Sequence, residues 1–137
     1  MYVRREADEK TSQEYGGAFR RFFPWSGVSD PDWGGAVLNI APGDCSIPHH
    51  HDEEEMFLFL SGEGTINVDG TEESVGKGAM VHLPRFSRHF VTNTSRRADL
   101  SFVCIWWGAP AEETAADGVV CRQEAGTVEA PFVSPFF

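Results

Sequence analysis

No apolar run in the sequence approaches the ~20 residues of a membrane span, and the polar start, MYVRREADEK, lacks the hydrophobic region of a signal peptide. Neither membrane insertion nor export is expected, and the expected location is cytoplasmic. Basic residues are few: 11 Lys and Arg stand against 21 Asp and Glu, a formal net charge of −10. No basic stripe offsets this, the nearest clusters being Arg4-Arg5, Arg20-Arg21 and Arg96-Arg97. Phosphate backbones are repelled, so nucleic acid is not an expected partner. The cysteines, Cys45, Cys104 and Cys121, are odd in number and widely spaced. They fit neither a disulfide framework nor a Cys-based zinc site and read as free thiols in a reducing compartment. Long helical periodicity and internal repeats are also missing. What is present is 137 residues, 41% hydrophobic, with 11 Phe, 4 Trp and 2 Tyr. This content is too aromatic for a disordered acidic chain, and the length suits one domain burying roughly two-thirds of its unfolded surface.

Residues 1–18 are polar, end in Gly16-Gly17, and read as an N-terminal arm or edge segment with little core of its own. The packed domain is expected over 19–108. Short β-rich runs alternate there with turn signals: AVLNI, MFLFL, TINV, AMVHLP, HFVTN and LSFVCIWW. This rhythm predicts an all-β sandwich or small barrel. Val68-Asp69-Gly70-Thr71 predicts a tight hairpin, because Asp-Gly accepts the positive backbone angles such a turn needs. Residues 109–137 form an Ala/Glu/Thr-rich linker or short helix and an apolar tail, APFVSPFF, expected to pack on the barrel or on a second subunit.

The segment GDCSIPHHHDEEEMFLFLSG, residues 43–62, is the most informative. Along a strand, residues two apart point to one face, so His49 and His51 can converge on one ion while His50 points away. Glu55 opens the next run and can reach the same point. The segment GAMVHLPRFSRHFVTN, residues 78–93, offers His89 as a fourth ligand. Imidazoles with a carboxylate suit Zn, Fe, Mn, Ni or Cu better than an oxygen-only ion such as calcium.

Together these segments resemble the two motifs of the cupin superfamily. Gly43, His49, His51, Glu55 and Gly62 fill every fixed position of the first. Gly78, Pro84, His89 and Asn93 fill the second, with Phe86 where the family usually has glycine. That exchange predicts a turn of another shape and a large ring near the metal. The short stretch between the motifs, 63–77, looks like that of the compact microbial cupins. The resemblance implies a small antiparallel jelly-roll barrel holding one divalent ion, Zn, Fe(II) or Mn, on His49, His51, Glu55 and His89, with an open coordination position. It further implies a metal-dependent enzyme acting on a small organic molecule in bacterial secondary metabolism, by dioxygenation, lyase or isomerase chemistry, or N–N bond formation. RRFFPW and CIWWG are similar to runs in cupins associated with hydrazine formation. The alternative is a non-catalytic module that binds or senses a small ligand.

Other residues have two readings each. His82 either lines the pocket as a proton donor or acceptor, or is a packed strand residue. Cys45 shares the parity of His49 in a regular strand, which would turn its thiol inward as a buried structural cysteine. Phe57 and Phe59 share the parity of Glu55 and should face inward, as core or as pocket wall; Phe86 and Phe102 are further pocket candidates. Met56, Leu58 and Leu60 make the opposite face apolar too, so that face should be covered, and a homodimer is the expected assembly. Trp25 and Trp33 form a flap or brace the barrel end.

Overall fold

In the computed structural model, which describes residues 1–108, the β-rich runs become strands. They are β1 (Ser12–Glu14), β2 (Gly17–Arg21), β3 (Trp33–Ile40), β4 (Glu54–Ser61), β5 (Glu63–Val68), β6 (Thr71–Gly76), β7 (Met80–Leu83), β8 (His89–Asn93) and β9 (Leu100–Trp107). One sheet has the order β1-β2-β3-β9-β4-β7 and the other β6-β5-β8. All pairings are antiparallel. The expected all-β, jelly-roll barrel is the observed architecture. The linker and apolar tail expected at 109–137 lie outside the described residues, and no helix among the described residues is long and apolar enough to cross a membrane.

Alternation places the core between the sheets. On β4, Glu55, Phe57 and Phe59 are buried while Glu54, Met56 and Leu58 are less so. Leu38 and Ile40 of β3, Phe102 of β9, Ile66 of β5 and Val91 of β8 complete one cluster drawn from both sheets. The predicted hairpin joins β5 to β6 with Asp69 at φ 50° and Gly70 at φ 92°, the mirror-image turn that strand twist favours. A second such turn, Tyr15 at φ 57° and Gly16 at φ 90°, joins β1 to β2. There the chain passes so close to Cys45 and Ser46 that a Cβ on Gly16 would lie 2.7 Å from the Cys45 carbonyl.

Two motif residues act on the frame. Asn93 is 1% exposed; its Nδ2 donates to the Ile40 and Ala98 carbonyls, both at 2.9 Å. Phe86 corrects the expected turn: the backbone keeps the left-handed conformation, φ 64°, with a phenylalanine in it. The ring is 56% exposed and lies away from the cavity, so no large ring reaches the metal-ligand cluster from this turn.

Candidate metal centre

The segment 45–49 runs beside β8 without forming a regular strand. Isolated bridges pair Cys45 with Thr92 and His49 with His89. His49 and His89 exchange both backbone hydrogen bonds, at 3.2 and 3.0 Å, which sets their rings side by side, 4.6 Å between centroids. His51 follows two residues on, and its carbonyl accepts the Phe86 amide at 2.8 Å, tying the two motif segments together. Glu55 enters on β4 directly opposite Trp106 of β9. The irregularity of 45–49 turns Cys45 outward: its thiol is exposed and Ser46 takes the inward place, 6% exposed. The Ile47 amide bonds to the Tyr15 carbonyl and Pro48 has no amide hydrogen, so no regular ladder enforces the parity expected for Cys45.

Each of His49, His51 and His89 offers a ring nitrogen within 4.8 Å of the others. The Nδ1 of His49 lies 3.0 Å from the Ile47 carbonyl, and that of His89 lies 2.9 Å from the Ser87 carbonyl. A carbonyl only accepts, so each Nδ1 carries the proton and each Nε2 offers a lone pair. This is the outer-shell arrangement that fixes metal-ligating imidazoles. Glu55 Oε1 stands 2.9 Å from His51 Nε2 and 3.2 Å from His89 Nε2. His89 Nε2 is buried and makes no hydrogen bond. A lone pair held against a carboxylate oxygen is repulsive unless a cation lies between them. The donor set, three imidazole nitrogens and one carboxylate, therefore fits a divalent transition metal.

Electrostatics favour the ligating forms of His49 and Glu55. Desolvation, then the neighbouring His89 and His51, push His49 down to about 3. Desolvation and His51 push His50 down to about 4. Burial alone would raise Glu55, but attraction and hydrogen bonding to His51, with smaller contributions from His89, pull it well below the usual carboxylate range. Neutral imidazoles and an ionised carboxylate are what a metal requires.

The cluster opens on a cavity of about 200 Å³. Phe57 and Phe102 line it, together with Tyr15, Phe19, Phe23 and Trp106. Two other pocket candidates do not. Phe59 is 1% exposed and belongs to the core, one step deeper on β4, and Phe86 lies outside. His82 is likewise corrected: its neighbour Leu83 takes the inward position opposite Glu55, so the imidazole points to solvent and pairs with Glu54 at 2.6 Å. Trp33 begins β3, packs edge-on against Phe22 and Phe23, and stays 41% exposed. Trp25 lies under the Arg4 guanidinium at 4.3 Å.

Several wall residues escaped the sequence reading. Glu53 is 5% exposed and its Oε1 lies 3.9 Å from His51 Nδ1; inside HHHDEEE nothing separates it from its solvated neighbours. Ser46, Arg21 and Tyr15 also line the cavity. Tyr15 comes from the segment read as an arm. Its ring sits 4.9 Å from that of His49, and desolvation raises its phenol well above the usual range. The Gly16-Gly17 pair directly after it was the available signal, since a tight turn there folds the arm back onto the sheet.

Comparison with known proteins agrees with this geometry. The family described as "Cupin domain" matches residues 36–106. A solved structure, a Cupin 2 conserved barrel domain protein from Salinispora arenicola, superposes with a TM-score of 0.72 at 28% identity, covering 80% of this chain and 90% of that one. Among curated proteins, a vicilin-like seed storage protein of Arabidopsis thaliana is 33% identical over 69 residues, 47% of this chain and 14% of the relative. The dimethylsulfoniopropionate lyase DddW of Ruegeria pomeroyi is 29% identical over 85 residues, 48% of this chain and 56% of the lyase. The match thus spans little more than half of the lyase and a small part of the storage protein.

Proposed function

This chain belongs to the cupin domain family, and from that premise we propose that it is a metal-dependent enzyme acting on a small organic molecule. One observation carries the reading: three imidazole nitrogens within 4.8 Å of one another open, with Glu55, onto an aromatic cavity. His49, His51, His89 and Glu55 would hold the ion. Four protein ligands leave room at an ion that accepts five or six. A bound ion supplies Lewis-acid polarisation of a substrate oxygen, or redox chemistry if it is iron. The chain's own residues do the rest. Phe57, Phe102 and Trp106 exclude water, Nδ1 bonds to backbone carbonyls fix the ring angles of His49 and His89, and Arg21 sets the charge at the rim. The lyase relative supports a catalytic role, and the storage-protein relative supports a non-catalytic one; the second reading is a module that binds a small ligand without turning it over.

Elemental analysis of untagged protein, then anaerobic Fe(II) reconstitution and an oxygen-uptake screen, tests the proposal. Iron near one equivalent with substrate-dependent oxygen uptake supports dioxygenation. Zinc or manganese near one equivalent without oxygen uptake supports lyase, isomerase or N–N bond-forming chemistry. A protein that takes up none of these ions leaves only the binding module. The same reading includes a homodimer formed through the outer face of the larger sheet, where Met56 pairs with Ile105 and Leu58 with Val103, and sedimentation equilibrium checks it.

A further inference from the structure

Three segments that carry or flank the metal ligands meet at one side chain, Arg85. Its Nε donates to Asp52 Oδ1 at 2.8 Å, and its Nη2 lies 2.6 Å from the same oxygen. The remaining nitrogen, Nη1, donates to the Gly108 carbonyl at 2.5 Å. Asp52 follows His51 in the loop between the His49 bridge and β4. Arg85 belongs to the turn between β7 and β8, which leads to His89, and Gly108 follows β9, whose Trp106 stands opposite Glu55. A planar guanidinium suits this span, because its donors point in fixed directions where a lysine offers one point charge. The side chains of Arg85 and Asp52 are 32% and 23% exposed, so the pair itself adds little stability. What it supplies is geometry.

The turn that carries Arg85 is tightly bonded. The Pro84 carbonyl accepts the Ser87 amide at 3.1 Å and the Ser87 hydroxyl at 2.6 Å. The Ser87 carbonyl accepts from His89 Nδ1, and the Phe86 amide donates to the His51 carbonyl at 2.8 Å. Phe86 holds a left-handed φ of 64°, a strain that persists only where the surroundings enforce it. The Phe86 to His51 bond and the Arg85 contacts beside it do so. One turn thus holds His89 through Ser87, the His51 peptide through Phe86, and the residue after His51 through Arg85. Neither Asp52 nor Arg85 fills a fixed position of the two motifs: Asp52 is one of three residues between His51 and Glu55, and Arg85 stands between Pro84 and Phe86. We propose that Arg85 is a positioning residue of the metal centre: by joining Asp52 to Gly108 it fixes the angle at which His51 meets His89 and Glu55, and so raises affinity for the ion. This rests on the metal-dependent reading above. Sign separates position from charge. A guanidinium near a cation site opposes binding, so on Coulomb grounds alone its removal tightens the ion, whereas loss of position loosens it.

The test uses the full chain and Zn(II), with affinity measured by competition against a chromogenic chelator and amide exchange measured by NMR on metal-free protein. Arg85→Met keeps the apolar stem and should bind zinc about tenfold more weakly, the low end of what outer-shell changes cost. In the same variant the Phe86 amide should exchange about tenfold faster, as loss of charged hydrogen bonds beside it predicts. The Phe59 amide, bonded to the Ala79 carbonyl at 2.9 Å, should keep its protection. The double variant Arg85→Met, Asp52→Asn should bind zinc no more weakly than the weaker single variant, because both changes remove one shared contact. Arg85→Lys keeps the charge without the fork and should also bind zinc more weakly; it decides alone if dichroism shows the methionine variant to be unfolded. Zinc bound by either Arg85 variant as tightly as by the natural chain or more so, additive losses in the double variant, or unchanged Phe86 exchange overturns the role of Arg85. Failure of the natural chain to take up zinc is read separately by elemental analysis and overturns the metal reading and this one with it.

Discussion

At the scale of single residues, Glu55 and the imidazoles around it are mutually dependent. Glu55 Oε1 is within 3.2 Å of two of them, so removing any one partner leaves a buried group without its complement. His51→Ala is expected to weaken metal binding by on the order of a hundredfold, since even outer-shell changes cost 10–100-fold. Circular dichroism should stay unchanged because the core lies deeper in the barrel. Full metal retention in that variant would remove His51 from the ligand set. The metal-free protein should also lose stability in acid. His49, held at about 3 when folded, titrates near 6.5 when unfolded. Below that value the unfolded chain gains a proton that the folded one refuses, so its contribution is complete above pH 6.5 and declines toward pH 3. Glu55, also depressed, acts with the same sign, its contribution being lost as pH falls below the usual carboxylate range. Chemical denaturation at pH 7 and pH 5 should differ by about 1–2 kcal/mol, and by less in His49→Asn. The four ligand candidates were legible in the sequence because their spacing is a motif. Tyr15 and Glu53 were not, because a tyrosine in a polar arm and one glutamate among three have no periodicity to mark them.

Strands and turns show where local pattern decides and where tertiary contacts override it. β3, β4 and β9 were readable because each contains a β-rich apolar run bounded by turn residues, and burial alternates along most of each strand. The segment 45–49 was not, because Pro48 and the bond from Ile47 to Tyr15 break its ladder, and His82 was misread for want of the register that pairs it with Met56. The turn at Phe86 shows a family position filled against its preference. Holding a non-glycine residue left-handed costs about 1–2 kcal/mol, while glycine costs roughly 0.4–1 kcal/mol through the unfolded chain. Phe86 is 56% exposed, so its ring contributes little to offset the strain. Phe86→Gly should therefore raise stability by up to about 1 kcal/mol, read as a higher urea midpoint with an unchanged slope; a lower midpoint would show that the ring contributes packing. Gly34 presents the opposite case. A Cβ there would lie 2.3 Å from the Trp106 ring, which itself lines the cavity. Gly34→Ala is expected to cost about 1–3 kcal/mol by overpacking and to tilt Trp106 into the cavity, a change that quenching of its fluorescence by small solutes would register.

Across the whole molecule, metal centre and core are separate structures that share β4. Phe59, Phe102, Leu38, Ile40, Leu100 and Val91 are all at most 3% exposed and draw on both sheets, whereas the ligand side chains line the cavity beside that core. The barrel's cohesion thus does not depend on an ion, unlike small domains whose only core is a metal. Chelation should therefore leave a folded protein, with far-ultraviolet dichroism intact and a cooperative thermal transition. The ion nevertheless binds only the folded arrangement, because His89 is 38 positions beyond His51 and the two meet through the bridge between His49 and His89 and the hydrogen bond from Phe86 to His51. Mass action then stabilises the fold by about 2.7 kcal/mol at a free ion concentration one hundred times the dissociation constant. For a domain of this size that shift corresponds to a rise in Tm of roughly 10 °C, growing with the logarithm of ion concentration. Calorimetry across a zinc titration should trace that dependence in the natural chain and the same dependence displaced to about hundredfold higher zinc in His51→Ala. A chelated protein that melts without cooperativity would mean that the ion, and not the aromatic core, holds the two sheets together.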